Sequence, residues 1–115
     1  MDSPHQHLRR ILAGDSLGGE RYSWPHVLAV VQQVRETSSE DSQAVLREVA
    51  SFAGRLTLDE SQGLPHSMSP EDFLRWIAVQ SLATWDLARH RDVIARAAAL
   101  ADHENVALKA RQLLV

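Results

Sequence analysis

Apolar residues in this chain recur at three- and four-residue spacing and almost nowhere alternate with polar ones, so a segment that buries a face must do so as a helix. The helix starts are marked. Ser3-Pro4, Ser23 before Trp24-Pro25, and Ser69-Pro70-Glu71-Asp72 each set a hydroxyl at the cap position and proline in the first turn, where its missing N–H is not needed. Ser38 with Asp41, and Asp102 ahead of His103-Glu104-Asn105, give two further starts. The pattern predicts an all-α protein of about six helices, over residues 4–13, 24–37, 40–57, 70–86, 90–101 and 103–114.

Each helix has a readable face. Trp24, Val27, Val30, Val31 and Val34 make one stripe, and Val45, Leu46, Val49, Ala50, Phe52, Ala53 and Leu56 a wider one, so these two helices are expected to pack antiparallel. Val93, Ile94, Ala97, Leu100 and Ala101 face Val106, Ala110, Leu113 and Leu114 in an expected closing hairpin. The fourth helix is apolar twice: Leu74, Ile77, Ala78, Leu82 and Trp85 on the main stripe, and Trp76, Val79 and Ala83 roughly opposite. Such a helix is either central to the domain or offers one face to a partner. Gly14–Tyr22 and Asp59–Met68 break the periodicity and read as loops. The loop at 59–69 joins two three-helix units, 4–57 and 70–114, within a single domain covering 1–115.

Composition narrows what such a domain can do. Hydrophobic residues make up 44% of the 115, enough for a core, and with no cysteine there is no disulfide framework, thiolate zinc site or thiol nucleophile. No apolar run approaches the roughly 20 residues that span a bilayer, and the first residues lack the core of an export signal, so the expectation is a cytoplasmic protein without a membrane. The formal net charge of −3 lies in residues 1–69, which hold nine acids against six bases, while the remainder holds six of each.

The usual catalytic patterns are missing. His90-Arg91-Asp92 matches a kinase catalytic-loop triplet but has no glycine-rich loop or DFG beside it, and it reads as a solvated helix start. His5-x-His7 near Asp2 has metal-ligand chemistry, yet residues two apart on a helix point about 200° away from each other. His103-Glu104 lacks the second histidine of a zinc-protease helix, and Gly18-Gly19 lacks the lysine of a phosphate loop. No serine lies in a Gly-x-Ser-x-Gly turn. The cations Arg75, Arg89, Arg91, Arg96, Lys109 and Arg111 are interleaved with Asp86, Asp92, Asp102 and Glu104, which argues against a nucleic-acid surface. No enzyme, metal or cofactor is expected.

One fragment recurs: Leu46-Arg47-x-x-Ala50, Leu74-Arg75-x-x-Ala78-x-x-x-Leu82, and Val106-x-x-x-Ala110-x-x-x-Leu114 after Asp102, with a fainter Leu8-Arg9. It resembles the second helix of HEAT repeats and their armadillo-like relatives, in which a small alanine lets helix pairs stack closely. The resemblance implies a HEAT-like α-solenoid fragment whose concave face holds another macromolecule; the other arrangement open to six such helices is an orthogonal bundle. The expected function is a non-catalytic protein–protein interaction module, an adaptor or scaffold. A small acidic inhibitor, such as a toxin-neutralising immunity protein or a phage antagonist, and a nucleic-acid-binding helical repeat are the other readings. The expected contact residues are Trp76, a residue type enriched at binding hot spots, and an acidic rim of Glu36, Glu40, Asp41, Glu48, Asp59 and Glu60 that would steer a basic partner.

Overall fold

A computed structural model describes residues 3–14, 21–59, 63–65 and 67–115 of the chain. Among them stand five helices: α1 (Pro4–Ala13), α2 (Trp24–Val34), α3 (Glu40–Ala50), α4 (Pro70–Leu100) and α5 (Glu104–Leu113). The described residues form no strand, only an isolated bridge between Tyr22 and Leu58, where the Asp59 N–H donates to the Tyr22 carbonyl at 2.8 Å. The all-α class predicted from periodicity is the observed one. The count is five rather than six because the expected fourth and fifth helices run together as α4.

That long helix is kinked where the sequence has neither glycine nor proline. Asp86 adopts extended backbone (φ −165°, ψ 85°), and its Oδ1 accepts the Arg89 N–H at 3.2 Å. A carboxylate accepting from the residue three ahead is N-cap geometry, so Asp86 ends one helical stretch and starts the next. The two halves are called α4a (70–85) and α4b (87–100) below.

The other starts follow local chemistry. The hydroxyls of Ser3, Ser23 and Ser69 accept the N–H groups of Gln6, His26 and Asp72. The third cap is Ser39, not Ser38, whose carbonyl instead accepts from the Gln43 amide. The fifth is His103 rather than Asp102: the His103 Nδ1 accepts the Asn105 N–H, while the backbone N–H groups of Asp102 and His103 both donate to Asp72. Gly14 closes α1 with φ 81°, a left-handed conformation that glycine takes without strain. Gly18 and Gly19 lie outside the described residues.

Helix ends moved more than starts. α2 stops at Val34, and α3 stops at Ala50 instead of continuing to 57. The reason for the second is tertiary: the Ser51 hydroxyl donates back to the Arg47 carbonyl at 2.7 Å, and the Phe52 carbonyl turns to accept Nε and Nη2 of Arg75 at 3.2 and 2.8 Å. A carbonyl held sideways by a guanidinium cannot extend the helical ladder.

One apolar core draws on all five helices, with Leu8, Val27, Val31, Val34, Val45, Leu46, Leu82 and Ile94 fully enclosed. α4 packs against α3 on one side and α5 on the other, the central placement its double apolar character allowed. α2 packs chiefly on α1 and only touches α3, contrary to the expected antiparallel pair; α1, with Leu8 and Ile11 buried, contacts both.

Candidate partner-binding site

The surface that stands out is built on α4a, and a buried ion pair sets its geometry. Asp72 and Arg75 are 1% and 7% exposed and paired at 2.5 Å. The other Asp72 oxygen accepts the N–H groups of Asp102 and His103 at 3.0 and 2.8 Å, tying the start of α4 to the turn before α5. Arg75 also donates from Nε and Nη2 to the Phe52 carbonyl. Both carboxylate oxygens of Asp72 and all three guanidinium nitrogens of Arg75 are thereby engaged, the condition under which a buried ion pair is tolerated.

Two cavities flank Trp76, one turn further along α4a. The larger, about 500 Å³, runs from Trp76 to Trp85 and includes Gln80, Ser81 and Thr84, with Arg35 at the end of α2 and Leu113 at the end of α5 closing it. At about 100° per residue, nine residues put the two indoles about 180° apart around the helix, with exposed Gln80 and Thr84 in the strip between. The smaller cavity, about 280 Å³, lies on the α5 side of Trp76, where Lys109 sets its ammonium 5.3 Å from the indole centroid, and extends to Met68, His103 and Asn105. Trp76 is half-buried and is the ridge between the two.

Three features of this surface bear on chemistry. The Ser81 hydroxyl is buried without a hydrogen-bond partner, alone in that respect among the described side chains. The Arg35 guanidinium has no ion pair or hydrogen bond among the described residues, and Lys109 has no ion pair. No Asp or Glu lines either cavity.

Three residues of the acidic rim, Glu40, Asp41 and Glu48, line neither cavity and already face cations. Glu40 is held bidentate by Arg89 at 2.6 and 2.9 Å, which lowers its carboxyl below the usual range. Glu48 accepts from Arg9 at 2.8 Å, and Asp41 lies 3.6 Å from Arg9 and 3.7 Å from His5. Glu36 is exposed just beyond α2, Asp59 is half-buried beside the Tyr22 bridge, and Glu60 lies outside the described residues.

The motif histidines also find partners. His90 is fully enclosed rather than solvated: its Nε2–H donates to Gln43 Oε1 at 2.9 Å, and its Nδ1 accepts from Arg47 at 3.2 Å. Burial, with Arg47 and Arg89 adding to it, pushes His90 below the ordinary histidine range. Arg47 also forks onto Asp92 at 2.9 and 2.6 Å, while Arg91 donates to the Leu114 carbonyl. The triplet 90–92 is thus three separate ties between α4b and its neighbours. His5 bonds the Ser42 hydroxyl, and His7 meets His26, not His5, with Nε2 atoms 2.7 Å apart. Among the described residues no three His, Asp or Glu side chains converge as a metal site, and no helix is long and apolar enough to cross a membrane.

Trp85 is the site residue that sequence reasoning assigned to the core. It packs against the core but is only half-buried, and the helix breaks at the next residue. Compared with protein families, curated proteins and solved structures, the chain matches none.

Proposed function

We propose that this domain is a non-catalytic protein–protein interaction module that docks its partner on the Trp76 ridge. The observation that carries this is a half-buried tryptophan standing between two cavities, with a second indole at the far wall of the larger one. Indole side chains in such positions dominate binding energies because they bury much area while losing few rotamers. The acidic rim is a weaker candidate, since Glu40, Asp41 and Glu48 already face arginine.

A photo-reactive residue in place of Gln80 tests it, with one in place of Gln32, exposed on α2, as the comparison. In the source cells the Gln80 position should cross-link to a discrete protein and the Gln32 position should not, and Trp76→Ala should abolish the product. Equal labelling at both positions would refute the docking surface.

A further inference from the structure

We propose that the Trp76 ridge accepts an acidic segment of its partner, one that presents a carboxylate beside a large apolar side chain. The inference rests on the interaction-module reading and names the chemistry of the partner. A chain of net charge −3 would be expected to show acids on an arbitrary patch of this size, yet both cavities are free of Asp and Glu and each has a cation at its edge.

Those two cations differ from the arginines that are paired within the fold. Arg9, Arg47, Arg55, Arg75 and Arg89 all face a carboxylate within the fold, whereas Arg35 and Lys109 face none among the described residues. A carboxylate supplied from outside would complete at Arg35 the forked pairing that Glu40 makes with Arg89. The indoles of Trp76 and Trp85 offer walls for an apolar side chain, and the strip between them offers the amides and hydroxyls of Gln80 and Thr84 to a peptide backbone.

A single-stranded nucleic acid also combines negative charge with flat faces. It draws its affinity from many phosphate contacts, however, and two cations on a net acidic protein supply few. The acidic peptide is the better match.

A phage library of random 12-residue peptides, panned on the whole chain, is the test. Enriched clones should place Asp or Glu next to Trp, Phe or Leu, and synthetic copies should lose about tenfold in affinity with Arg35→Gln or Lys109→Gln, more at low salt than at high. Arg35→Glu should shift the enriched clones toward basic residues. Circular dichroism of each variant must match the parent, as Lys109 is exposed and Arg35 half-buried with no partner for its guanidinium among the described residues. Basic clones from the parent, or acidic clones indifferent to both substitutions, would overturn this inference and leave the interaction module standing. Absence of enrichment over an unrelated helical protein, or tighter binding of a 12-nucleotide oligothymidylate, would overturn both.

Discussion

Asp72 is the residue on which the geometry of the docking surface depends, and Asp72→Ala should be among the most damaging single changes in the chain. Its carboxylate is 1% exposed and accepts from Arg75 Nη1 and from the N–H groups of Asp102 and His103. Removing it strands Arg75, 7% exposed, without its counter-charge, a loss of about 3–5 kcal/mol for a buried pair broken on one side. The two backbone donors lose an acceptor but lie where water can reach them, adding about 0.5–1 kcal/mol each. The expected total is about 5 kcal/mol, a large part of the roughly 5–15 kcal/mol that holds a domain of this size together. Asp72→Asn keeps the shape and the neutral acceptor and should lose about half as much. Urea unfolding followed by circular dichroism at 222 nm reads both values, and the slope with denaturant should be unchanged. A loss below about 1.5 kcal/mol for Asp72→Ala would show that the pair does not fasten α5 to α4a, and the account of how the two cavities are formed would fail with it.

Other consequences can be checked alongside. Because burial depresses His90, the unfolded chain takes up its proton first; stability should be full above about pH 6.5, fall as pH drops from there toward the depressed folded value, and level off below it, with His90→Gln flattening that slope in melts run from pH 8 to 5. A slope unaltered by His90→Gln would mean another histidine is responsible. Ser81→Ala removes a buried hydroxyl that bonds to nothing and should raise stability by about 1 kcal/mol in the same urea assay; a destabilised variant would show that the hydroxyl is in fact paired.

What the sequence revealed divides along a physical line between local and long-range causes. Helix starts were legible because a cap and the N–H it serves lie three residues apart, as at Ser3, Ser23 and Ser69. The end of α3 was not, since Phe52 is turned by Arg75 from 23 residues away. The cap expected at Asp102 falls one residue later, at His103, in a turn whose backbone is tied to Asp72 across 30 and 31 residues. Trp76 emerged as a candidate because its helix has apolar residues on two sides, whereas Trp85 was hidden by its place on the core stripe and by a kink that no glycine or proline announces. Charge counting located an excess of acid in residues 1–69 but could not show that Arg9 and Arg89 reach Glu48 and Glu40 across 39 and 49 residues. Nor could it show that Arg35 and Lys109 come to flank one tryptophan.

The central claim is that half-buried Trp76 is open to solvent in a positively charged setting, and collisional quenching measures both properties at once. Variants keeping only Trp76 or only Trp24, with phenylalanine at the other two positions, can be titrated with iodide and with caesium, each scaled to free N-acetyltryptophanamide. Trp24 is 5% exposed and provides the buried reference. The Trp76 variant should be quenched several-fold more than the Trp24 variant by iodide, and its iodide value should exceed its caesium value as attraction to Arg35 and Lys109 requires. Quenching of Trp76 as weak as that of Trp24, or favouring caesium, would contradict the account.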